Sequence, residues 1–351
     1  MTFEEARAQF PVLDRLAYLN AGTNGPLART TADAVVRQIE LDRDEGRSGT
    51  PWLEEQLERR AQARRELAAV IDVDPSLVAL TDSTTRGCGI VLSGLGLRAE
   101  DEVVITDQEH FGLLGSVRSS GARVLIADAN EDAIVTAVTP RTRLIATSHV
   151  LWTTGRRLDL VRVREATGVP VLVDGAQSAG AIAVHAEPFD FYTVSGQKWL
   201  CAPEPTGGLY VRDPERLRLA TPSSFAPSSY EPSGVFVPKE GAARFDSGWI
   251  GGPTLAGLLA ALGVHPEWRY ERAAETAARC HALLSSQVEV VTPRDQSTLV
   301  SFRPNGDPTE LVASLHERGV VVRELPGRNL VRASVGWWTS EDDVQRLVAG
   351  L

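Results

Sequence analysis

Short β-branched and apolar runs alternate with stretches of helical spacing through the first two thirds of the chain. Leu77–Thr81, Glu102–Thr106, Arg123–Ala127, Arg143–Thr147, Val169–Val173, Phe191–Val194 and Gly208–Val211 each read as a strand. Thr30–Asp44 and Trp52–Ile71 carry amphipathic helical spacing, the second with many Arg and Glu residues three and four apart. A turn after Thr81 opens a further helix, Thr84–Leu95. The unbroken apolar run Val171-Leu172-Val173 suits a central parallel strand covered on both faces. The pattern predicts an α/β fold whose sheet is mainly parallel and seven-stranded, with helices on both faces.

The pattern changes beyond Val211. Residues 221–241 are rich in Pro, Ser and Gly and read as a long surface excursion, a kind of loop that is more often functional or interfacial than idle. A helix-rich stretch covers Thr254–Ser285. Strands are then expected at Val288–Val291, Thr298–Phe302, Val320–Arg323 and Leu330–Ser334, with helices at Pro308–Arg318 and Ser340–Ala349. This is a second, α+β unit. The expected division is a large domain over residues 15–257 and a small domain built from 1–14 and 258–351, residues 1–14 reading as a short helix and a lead-in.

Composition narrows the function. Lys plus Arg is 36 against 46 Asp plus Glu, a net charge of −10, so a nucleic-acid protein with a basic face is not expected. No apolar run reaches the length of a membrane helix, and Met1-Thr2-Phe3-Glu4-Glu5 lacks the basic start of a signal peptide. Cys88, Cys201 and Cys280 are too far apart for a disulfide framework or a metal-ligand spacing, which points to a reducing, cytoplasmic setting and no metal. The chain has only two lysines, Lys198 and Lys239, the second in the Pro- and Gly-rich stretch.

The chemistry gathers at two strand ends. Asp174 closes Val171-Leu172-Val173-Asp174, and Lys198 follows Phe191-Tyr192-Thr193-Val194-Ser195-Gly196-Gln197. Ligands of open α/β sheets lie beyond the carboxyl ends of the strands. Pyridoxal phosphate (PLP) needs a lysine amine for its resting Schiff base and an acid to keep its ring nitrogen protonated. Desolvation lowers the pKa of such an amine and suits it to shuttle protons. Thr81-Asp82-Ser83-Thr84-Thr85-Arg86-Gly87, between a strand and a helix, supplies hydroxyls and backbone N–H groups for a phosphate, although Ser and Thr before a helix also serve as plain caps.

These pieces, in this order, resemble the class V aminotransferase family of fold-type I PLP enzymes, which includes cysteine desulfurases, selenocysteine lyase, isopenicillin N epimerase-like proteins and kynureninase. The resemblance runs from Tyr18-Leu19-Asn20-Ala21-Gly22 to Arg332-Ala333-Ser334, strongest at Val173-Asp174-Gly175-Ala176-Gln177-Ser178 and Ser195-Gly196-Gln197-Lys198-Trp199. It implies Lys198 as the Schiff-base lysine, Asp174 as the ring-nitrogen acid and Gln177 near the ring hydroxyl. It also implies Thr84, Thr85 and Ser195 as phosphate ligands, and His110 of Glu109-His110 stacked on the ring. Gln197 stands where many desulfurases have histidine. Ser148–Gly155 lacks the asparagine that relatives often carry near the ring hydroxyl; Trp152 or Thr153 is expected to line the pocket. Arg332 resembles the arginine that grips the substrate α-carboxylate, with Asn20 and Trp152 as further substrate contacts. Phe245–Thr254 resembles the segment that reaches a partner subunit's phosphate, with Thr254 as its hydroxyl. A homodimer with the active site at the interface is implied as well.

The expected function is therefore a PLP-dependent enzyme acting on a small amino acid through an external aldimine and a Cα carbanion, of aminotransferase or C–S/β-elimination lyase type. An epimerase or a cysteine desulfurase-like enzyme is the alternative. The loop Arg323–Asn329 has no cysteine to accept a persulfide, which speaks against a desulfurase. A PLP-fold scaffold without catalysis has no reason to keep both Asp174 and Lys198, and an NAD-type enzyme would show a Gly-x-Gly-x-x-Gly after its first strand.

Overall fold

The computed structural model describes all residues, 1–351. Its large sheet has seven strands: β1 (Val78–Thr81), β2 (Glu102–Thr106), β3 (Arg123–Ala127), β4 (Thr142–Ser148), β5 (Val171–Asp174), β6 (Phe191–Ser195) and β7 (Gly207–Val211). They lie in the order β1-β7-β6-β5-β4-β2-β3, and only β7 runs antiparallel to its neighbours. The α/β expectation therefore holds, and the carboxyl ends of β1, β2, β4, β5 and β6 meet along one edge. The register sets Ser148 opposite Asp174 and Asp174 opposite Thr193, so the chemistry-bearing ends are level with one another.

Two apolar layers close on this sheet. On one face Leu67, Val104, Ile145, Val171 and Tyr192 pack with Leu255 and Leu258; on the other Val91, Leu113, Val117, Leu144 and Leu172 pack together. Removing these side chains from water supplies the main driving force for the fold. The expected boundary at 257/258 falls inside a continuous helix, Gly252–Gly263, whose Leu255, Leu258 and Ala261 belong to the first of these layers.

A four-stranded antiparallel sheet follows, in the order Glu289–Val290, Leu299–Arg303, Leu330–Ser334, Arg323–Leu325. The run expected as a single strand at Val320–Arg323 splits. Val320–Val321 pairs parallel with Ala17–Tyr18 from the start of the chain, while Arg323–Leu325 joins the four-stranded sheet. Ala17 and Leu19 are fully buried among Phe302, Leu315, Val331 and Leu347. This pairing carries Asn20-Ala21-Gly22 across to the end of Leu330–Ser334, where the Ser334 amide donates to the Leu19 carbonyl at 2.7 Å.

The stretch expected as a surface excursion contains a hairpin, Pro227–Tyr230 with Phe236–Pro238, and leads into a 3-10 turn at Gly241–Phe245. Its far end is anchored by Asp246, which is buried. The Asp246 carboxylate accepts from Arg60 at 2.7 Å, from Arg64 at 2.9 and 3.0 Å, and from the Leu80 amide at 2.9 Å. Two guanidinium groups on one carboxylate tie the segment to β1 and to helix Gly49–Val70.

Candidate active site

Lys198 leaves β6 through a tight turn. The Gly196 amide donates to the Thr206 carbonyl at 2.9 Å, and the Gly25 amide donates to the Gln197 carbonyl at 2.8 Å. Gly25 is necessary there, because a Cβ would run into the Lys198 carbonyl. Desolvation pushes the Lys198 amine down to about 8; Asp174 opposes that shift, and Arg332 and Arg323 add to it. Asp174 is buried at the end of β5, and its Oδ1 accepts from the Ala176 amide at 2.9 Å.

Helix Thr84–Gly94 begins at the carboxyl end of β1. Its cap is Ser83, whose Oγ accepts from the Arg86 amide at 3.2 Å. Thr84 and Thr85 therefore do not serve as the cap, and first-turn amides have no partner within the helix. Two glycines let the helix sit close. A Cβ on Gly87 would lie 2.9 Å from Thr193 Cγ2 on β6, and one on Gly112 would lie 2.5 Å from Thr85 Oγ1. The starts of helices Thr84–Gly94 and Phe111–Ser119 thus converge, giving the positive ends of two helix dipoles. Ser195 Oγ, at the end of β6, donates to Gln197 Oε1 at 2.8 Å.

His110 caps helix Phe111–Ser119, its Nδ1 accepting from the Gly112 amide at 3.1 Å, which puts the ring proton on Nε2. Its pKa is lowered by desolvation first and by the Lys198 charge second. The ring meets the Trp152 indole edge-on, with centroids 5.4 Å apart. Trp152 in turn offers its carbonyl to Arg332 Nη1 at 2.9 Å.

Arg332 is the most unusual group of the site. It is 1% exposed, and its Nε and Nη2 have no hydrogen-bond partner. Its guanidinium makes no ion pair; desolvation, aided by Arg323, pulls its pKa down to about 9. Gly22 packs against it, and the Ser334 hydroxyl beside Gly22 also lacks a partner. Arg323 stands opposite Arg332 in the antiparallel pair and donates Nη1 to Thr23 Oγ1 at 2.9 Å, while Thr23 donates to Asn20 Oδ1 at 2.8 Å. An unpaired cation held out of water is a prepared anion site.

The fold sets the surroundings of two further expected residues. Gln177 donates Nε2 to the Gly22 carbonyl at 2.9 Å and accepts from the Trp199 indole at 3.1 Å, so it braces the Gly22 segment and keeps one amide hydrogen free. Thr254 lies in the first turn of helix Gly252–Gly263; the cavity at that helix start is lined by Trp52, Trp249, Arg43 and Arg47 and by none of the expected site residues. Spacing along the chain does not point to Arg323, to Glu109 apart from His110, or to the close packing of Gly22. Arg323 sits opposite Arg332 only because of strand pairing, which local spacing does not report. All three cysteines are buried, and burial pushes each thiol pKa up.

A lysine amine, a buried acid, convergent helix starts and an unpaired buried guanidinium together fit PLP and an amino-acid substrate. The aminotransferase class V profile matches residues 22–347, and the chain belongs to that family. Among its relatives, isopenicillin N epimerase of Streptomyces clavuligerus is 30% identical over 99% of this chain and 97% of its own. Cysteine desulfurase of Cronobacter sakazakii is 26% identical over 100% and 97%. The solved structure of the cystine C–S lyase C-DES with its reaction product cysteine persulfide superposes with a TM-score of 0.90 at 28% identity, covering 97% of this chain and 98% of its own. Another C-DES structure, with glycine linked to the PLP cofactor, gives 0.91 at 28% identity over 98% of each chain. The protein is thus a PLP-dependent enzyme of class V, of transferase or lyase type. No helix is long and apolar enough to cross a membrane.

Proposed function

We propose that this protein cleaves a β-substituent, of C–S or related type, from a small amino acid. Bound PLP supplies an electron sink for negative charge at the substrate Cα. Lys198 would hold the cofactor and, once released from it, move the Cα proton. Asp174 would face the ring nitrogen, His110 the ring face, Gln177 the ring hydroxyl through its free amide hydrogen, and Thr84, Thr85 and Ser195 the phosphate, with Gln197 orienting Ser195. Arg332 carries the reading: a buried guanidinium with two unpartnered nitrogens is ready for an α-carboxylate, bound in the fork geometry that arginine favours. Trp152 and Asn20 complete its surroundings.

Arg323 adds a second positive charge that Lys198, His110 and Arg332 all sense. We infer that the substrate carries a second anionic group. Persulfide transfer through a protein cysteine is disfavoured, because Cys88, Cys201 and Cys280 are all buried. Epimerisation is the second reading, supported by the 30% identical relatives. A panel of amino acids assayed for pyruvate, ammonia, sulfide, keto-acid-dependent amino transfer and the opposite enantiomer decides among them. Keto acid and ammonia without an added amino acceptor supports elimination, and the enantiomer alone supports epimerisation.

The reading includes a cytoplasmic homodimer, with Thr254 reaching the partner's site, and the division into a large domain (15–257) and a small one (1–14 and 258–351). Exposed Val36, Ile39, Leu53, Leu57, Tyr230, Val237 and Trp249 supply apolar surface of the kind a second copy covers. Light scattering at low micromolar concentration should give twice the chain mass.

A further inference from the structure

Glu109 lies one residue before His110 and is buried where β2 and β4 end. Its carboxylate meets only hydroxyl and amide donors. Oε1 accepts from Thr106 Oγ1 at 2.5 Å and Thr147 Oγ1 at 2.6 Å, and Oε2 accepts from the Ser148 amide at 3.0 Å and the Ser148 hydroxyl at 2.6 Å. Four donors fill the acceptor positions of an ionised carboxylate. Burial nevertheless raises its pKa, and the charge of Asp174 raises it further against these hydrogen bonds. The groups facing it are Thr106 on β2, Thr147 and Ser148 on β4, Asp174 on β5 and Cys88 on helix Thr84–Gly94, whose thiol responds to both acids. No cation compensates it, and a buried charge kept at such a cost close to an active centre points to function.

We propose that Glu109 is a positioning residue of the cofactor site, which locks His110 and the Ser148–Asp174 strand pair together and sets a second buried negative charge behind Asp174. The links are direct. Ser148, held through both its amide and its hydroxyl, is the register partner of Asp174; His110 is the next residue in the chain and the cap of helix Phe111–Ser119. Two buried carboxylates there would favour positive charge on a cofactor held by Lys198. The charges of Lys198, Arg323 and Arg332 lower the pKa of His110, and that of Asp174 raises it. The inference rests on the cofactor placement proposed above.

The test is a pH titration of the visible absorbance band of the lysine-bound cofactor in the holoenzyme, run on wild type, Glu109→Gln and Glu109→Asp, with Lys198→Ala as control. Glu109→Gln removes the charge while keeping the side-chain shape; the midpoint should fall by about half a unit to one unit. Glu109→Asp keeps the charge and should stay near wild type even if its melting temperature drops. An unchanged midpoint in Glu109→Gln, or equal shifts in both variants, overturns the proposal and leaves Glu109 a strand tie only. Should Glu109→Gln not fold, Thr147→Val keeps the carboxylate and removes one donor. Its Kd for PLP should rise several-fold, and an unaltered Kd overturns the positioning role. A wild-type band that survives in Lys198→Ala overturns the cofactor placement itself, whereas a band lost in Lys198→Ala with Glu109→Gln unaffected overturns only this inference.

Discussion

Gly22 and Arg332 are packed so closely that a Cβ on Gly22 would lie 2.6 Å from Nη2 of the guanidinium, and 2.9 Å from Ser334 Oγ. The two residues sit at opposite ends of the chain and meet because Ala17–Leu19 lies beside Val320–Val321 and Ser334. The contact shapes the part of the site that holds the unpaired Arg332 guanidinium. Gly22→Ala should therefore displace the guanidinium and raise KM about ten-fold or more, with a smaller change in kcat. Steady-state kinetics beside an unchanged circular dichroism spectrum checks it; a wild-type KM removes Arg332 from carboxylate binding.

Arg323 should act on substrate choice more than on chemistry. Arg323→Met is expected to cost about 1–3 kcal/mol in kcat/KM for an amino acid with a second anionic group, as loss of a charged hydrogen bond does. Substrates without that group should be almost unaffected. Equal losses for both kinds would show that Arg323 serves the site as a whole.

The lowered Lys198 pKa gives the pH dependence of cofactor capture a definite sign. Only the neutral amine attacks an aldehyde, so apoprotein should take up PLP faster as pH rises through about 8, and level off above it. Because Arg332 contributes to that depression, Arg332→Met should move the midpoint upward. Stopped-flow absorbance across pH reads both effects, and a midpoint near that of free lysine would refute the desolvated setting.

Gly112 tests the anion cradle. Alanine is the better helix former, so a purely local effect would stabilise helix Phe111–Ser119. The added Cβ, however, would meet Thr85 Oγ1 at 2.5 Å. Gly112→Ala should weaken PLP binding about ten-fold while the melting temperature holds. Equilibrium dialysis measures the Kd, and unaltered affinity would detach Thr85 from the phosphate.

Asp246 is predicted to matter for stability. Asp246→Leu leaves Arg60 and Arg64 without their buried counter-charge and the Leu80 amide without an acceptor. Loss of about 3–5 kcal/mol is expected, from chemical denaturation. A loss under 1 kcal/mol would mean that water replaces the carboxylate.

The residues legible in the sequence are those whose place follows from position within one element. Asp174 ends β5 and Lys198 follows the end of the neighbouring β6, and a strand's carboxyl end is visible in its apolar run and the glycine turn that follows. Thr84 and Thr85 open a helix whose cap is Ser83, since the hydroxyl that closes the first turn is the one on the extended residue before it. Gln177 stands out in the sequence, but its bracing of Gly22 and Trp199 does not, because both partners are set by the fold.

What the sequence alone determined is the alternation of strands and helices, the strand ends that bear Asp174 and Lys198, and through them the cofactor. Those follow from side-chain period and local turn chemistry, which act over a few residues. The tertiary structure decided the rest: Gly22 against Arg332, Arg323 beside it, Glu109 joined to Ser148, and Asp246 between two arginines. Each depends on burial and on partners far apart in the chain. Whether a charge is paired or left waiting for a ligand is fixed only when the chain has closed around it.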